Sequence, residues 1–202
     1  MLCFKHHRLP KFSRKMVKFD LLDNGPKTKT MEYSELIKNR ESVRNYDPDR
    51  PVPGEIIGKI LDAGRSAPSA CNYQPWKFLV ISSPPMLDKV HQCYRKEWFA
   101  NAPHILVIVG LKDHAWVRSY DGYNSLETDV AIAMTHIILA ATNEGVGTCW
   151  IAAFDPEVLR KALDLNDNQV VYCITPLGYP RSGYKKPAPR TRKSLKEITE
   201  FL

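Results

Sequence analysis

The sequence predicts a single globular domain that combines helices with short buried strands. Its 202 residues suit one domain, because hydrophobic cores stop growing near about 250 to 300 residues. Apolar residues make up 44% and charged residues 25%, which excludes a disordered, collagenous or purely coiled-coil chain. Runs with helical periodicity alternate with short β-branched runs, so both kinds of element are expected to form the core.

Helices are predicted where apolar residues recur every three or four positions between Pro, Gly or N-capping residues. The strongest prediction is residues 125–143, which are apolar around most of the helix circumference. Such a helix is typical of a buried core or of a subunit interface. A last short helix is expected after residue 193. The other predicted helices span residues 33–39, 53–65, 86–96 and 155–165.

Strands are predicted at four short apolar runs that are too brief for helices. Residues 76–81 and 105–111 are rich in β-branched side chains and lie close to prolines. Residues 148–153 and 170–177 have the same character. After Gly178 the chain becomes basic and rich in proline, which predicts an extended arm.

The positive charge is concentrated at one end of the sequence. The whole chain carries +7, but residues 1–31 hold eight Lys or Arg and only two Asp. Residues 32–202 are therefore almost neutral and do not suggest a polyanionic partner. We expect a poorly ordered basic extension over 1–31 and one folded domain over 32–202. An alternative is an anchor for nucleic acid or an acidic membrane, but the extension lacks interleaved aromatics and an amphipathic helix.

Several classes of site are disfavoured by the sequence. The apolar runs are too short, or too interrupted by charge, to span a bilayer. Five cysteines without a C-x-x-C pair indicate neither a disulfide framework nor a zinc site, so we expect a cytoplasmic protein without a metal. The sequence contains no G-x-S-x-G nucleophile elbow of hydrolases, no P-loop and no H-E-x-x-H zinc motif. It also lacks a complete glycine motif for dinucleotide binding.

Two arginine pairs have the spacing of an anion site. In an extended backbone, Arg40, Ser42 and Arg44 would lie on one side, where two guanidinium groups and a hydroxyl match phosphate oxygens. Arg190 and Arg192 repeat this spacing near the end of the chain. The alternative for both pairs is a solvated charged loop.

The loop at 67–76 combines small residues with amide side chains. Small residues allow a planar ligand to approach the backbone, and Asn72 and Gln74 supply hydrogen-bond donors and acceptors. These properties favour a heteroaromatic ligand with carbonyl and nitrogen groups. An ordinary loop that leads into the strand at Trp76 is the alternative.

Four motifs together resemble the FMN-dependent nitroreductase family. They are Arg-x-Ser-x-Arg at 40–44, Ala-Pro-Ser-Ala-x-Asn-x-Gln-Pro-Trp at 67–76, Gly-x-Gly-Thr-x-Trp-Ile at 145–151 and Pro-Arg-x-Arg-Lys at 189–193. The resemblance covers residues 33–202, and the order and spacing of the motifs make it specific. It implies an α+β fold with a central, mostly antiparallel sheet flanked by helices. It also implies an interlocked homodimer with FMN at the subunit interface.

The resemblance also assigns the cofactor contacts residue by residue. Phosphate and pyrimidine contacts fall on the first and last motifs, with Glu41 contributing main chain. The loop of the other subunit lines the ribityl chain and ring, and the third motif approaches the ring through its backbone. The residues implied are Arg40, Glu41, Ser42, Arg44, Pro68, Ser69, Ala70, Asn72, Gln74, Trp150, Ile151, Ala152, Arg190 and Arg192.

The implied activity is a ping-pong, two-electron transfer from NADH or NADPH to nitroaromatic, quinone or similar acceptors. FMN carries the chemistry, and no side chain is identified as a catalytic acid or base. Segments 94–99 and 115–124 are rich in aromatic residues, among them Trp98, Trp116, Tyr120 and Tyr123, which suggests an aromatic acceptor. The alternative is a flavin-binding protein, a store or a regulatory partner, without NAD(P)H turnover.

Two positions depart from the family pattern. Glu41 stands where Arg or His is common, which leaves only a main-chain contact there. Cys71 replaces a small residue or Thr. It either places a thiol near the flavin or is buried and inert, and we favour burial.

Overall fold

The computed structural model describes residues 31–188 and 190–202, so most of the predicted 1–31 extension lies outside the described residues. The described chain forms helices around one small sheet. Two single turns of 3-10 helix occur at Ala70–Asn72 and Lys112–His114. The helices and strands, in chain order, are α1 (Tyr33–Asn39), α2 (Gly54–Arg65), β1 (Trp76–Ile81), α3 (Pro84–His91), α4 (Glu97–Ala100), β2 (His104–Leu111), α5 (Leu126–Asn143), α6 (Pro156–Leu163), β3 (Gln169–Leu177) and α7 (Leu195–Ile198).

The sheet is antiparallel and has the order β1-β2-β3. Trp76 pairs with Gly110 at one end of the β1–β2 ladder, and His104 pairs with Leu177 at one end of the β2–β3 ladder. The second ladder shifts register between Val107 and Val109. The α+β fold expected from the sequence is therefore confirmed, with an antiparallel sheet and helices around it.

Two apolar layers cover the two faces of β2. Leu106 and Ile108 belong to the layer that contains α2 and α5, whereas Ile105, Val107 and Val109 belong to the layer that contains α3, α4 and α6. Every one of these five side chains is fully buried. A strand that is buried on both faces needs an unbroken apolar run, which is what the sequence shows there.

Two predicted elements differ from the structure. Residues 148–153 form no strand, because single residues of the segment pair with two different neighbours: Thr148 accepts from Val43, and Ile151 pairs with Ile174. Gly147, just before the segment, pairs with Gly178. No continuous ladder results.

The predicted helix 86–96 is also wrong at its end, since α3 stops at His91. The chain tightens into 3-10 bonds, in which Cys93 N–H donates to the Val90 carbonyl. The Cys93 carbonyl then accepts from Asp155 N–H, the N-cap residue of α6, at 2.7 Å. A tertiary hydrogen bond thus replaces the next turn of the helix.

His104 fixes the start of β2 to the segment that precedes α2. Its Nε2 accepts from Val52 N–H at 3.0 Å, and its Nδ1 lies 2.7 Å from the Ser82 hydroxyl. Because Nε2 is an acceptor, the neutral ring carries its proton on Nδ1. Burial lowers the pKa of His104. Burial also lowers the pKa of His91.

The lowered histidine pKa values predict that acid destabilises the fold. Between the folded and unfolded pKa values the unfolded chain binds more protons, so stability is complete above about pH 6.5 and falls as the pH drops below it. A His104→Gln variant should lose less stability between pH 7 and pH 5 than the parent chain in urea titrations. The exposed His114→Gln variant is the control, and an unchanged slope in His104→Gln would contradict this assignment.

Gly64 allows α2 to pack closely on α5. A Cβ atom at this position would lie 2.6 Å from Cγ1 of Ile137 and 3.1 Å from Cζ of Phe78. By contrast, a Cβ atom at Gly58 of the same helix meets nothing within 4 Å in the described part of the chain.

Substitution of these two glycines should have opposite effects. Gly64→Ala overpacks a buried contact and should reduce the free energy of unfolding by about 1 to 3 kcal/mol. Gly58→Ala should raise it by about 0.5 to 1 kcal/mol, because alanine favours the helix. Chemical denaturation measures both. Equal effects of the two substitutions would show that Gly64 does not set this contact.

Candidate functional site

The 40–44 segment is held to the domain by main-chain contacts with Thr148. Val43 is buried, and its N–H donates to the Thr148 carbonyl at 2.8 Å. Ser42 forms a parallel bridge with the same Thr148. Arg40 directly follows α1, where it is half-buried, and Arg44 is exposed. The extended conformation predicted from the sequence is therefore present around Val43.

Arg40 lies in a cavity together with Arg190 and Arg192, which we name the arginine cavity. Its volume is about 560 Å³. Burial lowers the pKa of Arg40, and the nearby Arg190 and Arg192 lower it further, while Glu41 opposes them. In residues 31–188 and 190–202, none of these three guanidinium groups forms a salt bridge. The other residues of the wall are Ile37, Lys38, Asn39, Glu41, Lys186, Pro187 and Ala188.

The cavity therefore carries positive charge that its own wall does not neutralise. Glu41 is the single acidic residue in that wall, and burial together with Glu41 raises the pKa of the neighbouring Tyr184. Unneutralised guanidinium groups in a partly buried cavity favour a bound anion, because charge-assisted hydrogen bonds strengthen as water is excluded.

Arg44 does not line this cavity. Its guanidinium carbon lies 5.8 Å from the ring centre of Trp98. Trp98 in turn contacts Tyr46, Tyr94 and Phe99 in the second apolar layer. Trp98 is thus a half-buried part of an aromatic cluster beside Arg44.

Residues 148–152 lie next to the 40–44 segment. Burial raises the pKa of the Cys149 thiol, whereas Arg44, Ser42, Arg190 and Arg40 lower it, so all four lie near this sulfur. Ile151 is buried, and Trp150 and Ala152 are exposed. Within the part of the chain that the structure describes, the N–H groups of Trp150 and Ala152 donate to no protein acceptor. They are available to a ligand.

The 68–74 loop has an unusual backbone. Cys71, Asn72 and Gln74 all have positive φ angles, of 52°, 55° and 49°. Such angles are unfavourable for residues other than glycine, and clusters of them are typical of functional sites. Ser69 stabilises the loop, because its hydroxyl accepts from Gln74 N–H at 2.9 Å. Pro68, Asn72 and Gln74 are exposed, and the Gln74 amide donates to Asn72 Oδ1.

Within one chain, this loop and the arginine cavity lie at opposite ends of α5. Ala70 N–H donates to Asp129 in the first turn of α5. A second cavity of about 330 Å³, which shares Glu41 and Lys186 with the arginine cavity, is lined by Thr142 near the last turn. Asp129 and Thr142 are 13 positions apart, which corresponds to about 20 Å along the helix axis.

The predicted site residues thus form two groups. Residues 40–44, 148–152 and the two late arginines lie together, and residues 68–74 lie apart from them. The sequence interpretation missed Asp129, although an acidic residue four positions after Ser125, on a largely apolar helix, was a usable signal. In the described ranges, no group of His, Cys, Asp or Glu could hold a metal ion. No helix there is long and apolar enough to cross a membrane.

The nitroreductase family model matches residues 37–90 and 83–179. The chain therefore belongs to the nitroreductase family, a group of oxidoreductases. A protein of Archaeoglobus fulgidus, named provisionally as an NADH dehydrogenase/NAD(P)H nitroreductase, is 34% identical over 74% of this chain and 86% of its own length.

Solved structures agree with this assignment. A nitroreductase family protein of Clostridium difficile 630 superposes with a TM-score of 0.77 at 32% identity, over 85% of this chain and 98% of its own. A C. difficile R20291 protein described as an FMN-dependent nitroreductase has a TM-score of 0.68 at 28% identity, over 82% of this chain and 96% of its own.

More distant relatives include iodotyrosine deiodinases. The rat iodotyrosine deiodinase 1 is 25% identical over 98% of this chain and 74% of its own length. Relatives of this chain therefore carry names for different reactions, so family membership alone does not define the substrate.

The expected burial of Cys71 is wrong in this chain, because its side chain is exposed. The other described cysteines are buried, and burial raises the pKa of Cys93 to about 11 and of Cys173 to about 12. A thiolate is the reactive form, so buried thiols with high pKa values react slowly.

Alkylation of the native apoprotein at pH 7.5 should therefore modify Cys71 before Cys93, Cys149 or Cys173. Peptide mass spectrometry after a short iodoacetamide pulse gives the order directly. Cys71→Ser is the control for peptide assignment. Modification of Cys149 as fast as Cys71 would contradict the burial described here.

Proposed function

We propose that this chain is an FMN-dependent oxidoreductase that uses NADH or NADPH to reduce a nitroaromatic, quinone or similar acceptor. The observation that carries the proposal is the arginine cavity, which Arg40, Arg190 and Arg192 line together and in which none of the three forms a salt bridge within the described residues. Family membership and the names of relatives support the reaction class.

The residues present fit FMN. Arg40, Arg190 and Arg192 would hold its phosphate, since guanidinium forks match phosphate oxygens. Ser42 and Arg44 would contact the pyrimidine side of the ring, with Glu41 contributing main chain. When bound, FMN supplies the exchange of hydride and electrons that amino-acid side chains do not provide.

The backbone of residues 150–152 would recognise the ring. The N–H groups of Trp150 and Ala152 lack protein acceptors in the described chain, and Ile151 is fixed by its pairing with Ile174. Donors held in this way are suited to the carbonyl and nitrogen atoms of an isoalloxazine. The N–H groups of Trp150 and Ala152 would orient the ring and stabilise negative charge on it.

A second copy of the chain would complete the site. If two α5 helices pack antiparallel about a two-fold axis, the 68–74 loop of one copy comes beside the arginine cavity of the other. Pro68, Ser69, Ala70, Asn72 and Gln74 would then line the ribityl chain and ring. The partly exposed Ile132 and Leu139 on α5 support such a contact. We therefore propose a homodimer with the domain at 32–202.

The acceptor would contact the aromatic loop at 115–124. Tyr120 is 95% exposed and Tyr123 is 40% exposed, so both offer aromatic surface to a guest. The Arg118 guanidinium stabilises this loop, because it pairs with Asp121 and lies over the Tyr123 ring. These contacts favour a planar aromatic acceptor, which includes quinones, nitroaromatics and halogenated phenols.

Anaerobic stopped-flow absorption tests the function. The FMN-loaded protein is mixed with NADH or NADPH, and the flavin bands should bleach at a rate that saturates with donor. The bands should return when a quinone or nitroaromatic compound is added. A flavin that binds but stays oxidised with both donors would favour the alternative, a flavin-binding protein without turnover.

FMN affinity should depend on the arginine cavity. Arg40→Ala and Arg192→Ala should each weaken FMN binding by about 1.5 to 3 kcal/mol, or roughly 10- to 150-fold, because a charge-assisted hydrogen bond is lost. Fluorescence titration of FMN measures this effect. Arg181→Ala removes an exposed arginine outside the cavity and should leave binding unchanged. Parent-like affinity in both cavity variants would overturn the phosphate assignment.

A further inference from the structure

The buried side chain of Asp129 connects α5 to the 68–74 loop. Asp129 is only 2% exposed, and both of its oxygen atoms are used. Oδ1 accepts from Ala70 N–H at 3.0 Å, and Oδ2 accepts from the Ser125 hydroxyl at 2.8 Å. One carboxyl group therefore joins a loop and a helix that lie 59 residues apart in sequence.

The same turn of α5 holds the aromatic loop at 115–124. Ser125 N–H donates to the Trp116 carbonyl at 3.0 Å, which closes that loop against the helix. The Tyr123 hydroxyl forms a second hydrogen bond, to the Thr128 hydroxyl. The start of α5 is thus a common support for two loops.

The position of Asp129 is not explained by stability alone. A buried carboxyl group loses favourable hydration, and an apolar residue of similar volume often packs at least as well. The loop that it holds contains the positive φ angles of Cys71, Asn72 and Gln74, which persist only when neighbouring contacts enforce them.

We propose that Asp129 is a positioning residue that sets the 68–74 loop for the flavin and, through Ser125, the 115–124 loop for the acceptor. The roles of the two loops rest on the proposed function. The mechanical part, that Asp129 holds the loop conformation, stands on the hydrogen bonds themselves and is testable without any ligand.

Hydrogen–deuterium exchange of the full-length apoprotein tests the mechanical part. Asp129→Leu keeps similar volume but accepts no hydrogen bond, so peptides covering 66–76 should exchange roughly 10-fold faster or more. Asp129→Asn keeps an acceptor oxygen for Ala70 N–H and should remain close to the parent. Thr142→Ala, which removes a hydrogen bond at the far end of α5, should leave 66–76 unchanged.

Unaltered exchange over 66–76 in Asp129→Leu would overturn the proposal. So would an equal acceleration over 66–76 and over β2, because that pattern means general destabilisation. If Asp129→Leu does not fold, Ala70→Pro tests the same hydrogen bond by removing its donor in the loop. Proline removes the N–H donor and is tolerated at the first position of a helical turn.

The affinity and the spectrum of bound FMN measure the positioning role of Asp129. In Asp129→Leu, the dissociation constant of FMN should rise roughly 10-fold or more and the visible circular dichroism of bound FMN should change, while Asp129→Asn restores both. Parent-like binding and spectrum in a variant with a loosened loop would refute the positioning role. If the parent chain binds no FMN, the proposed function fails, and the exchange experiment still decides whether Asp129 holds the loop.

Discussion

The burial of β2 is the constraint on which the rest of the structure depends. Each residue from His104 to Gly110 is buried, so both faces of this strand require an apolar cover. One face is covered by α2 and α5, and the other by the shorter helices α3, α4 and α6. Removing apolar surface from water on both sides at once supplies much of the stability of a small domain. The elements that carry the candidate site are attached to this central strand and its neighbours.

This arrangement also explains why the candidate site is divided. Gly178, directly after β3, pairs with Gly147, and Thr148 then holds Val43. These main-chain contacts place the arginines at 40–44 near the end of β3 and the last turn of α5. The 68–74 loop leads into β1 and is held by the first turn of α5 instead. One helix, α5, therefore separates the two groups, and in the homodimer that we propose a second, antiparallel copy would bring them together.

The sequence predicted the parts of the fold that depend on local pattern. The strands at 76–81 and 105–111 and the helix at 125–143 are confirmed, because continuous apolar runs leave little choice of conformation. Residues 148–153 could not be assigned correctly, since their hydrogen-bond partners come from two distant segments, 42–43 and 174–175. The role of Trp98 was also missed, because its packing against Tyr46 depends on tertiary contacts. The arginine pairs at 40–44 and 190–192 were recognisable from their spacing, but the meeting of Arg40, Arg190 and Arg192 in one cavity was visible only in the structure.

The central claim is that two copies of the chain build each flavin site. Subunit complementation tests it most directly: a chain carrying Arg40→Ala and Arg192→Ala is refolded together with a chain carrying Ala70→Trp, which blocks the loop. Two affinity tags isolate the mixed dimer, and FMN retention is measured by absorption. We expect neither variant alone to retain FMN and the mixed dimer to regain one intact site. A mixed dimer that retains no FMN, or an Ala70→Trp chain that binds it normally, would contradict a site shared between subunits.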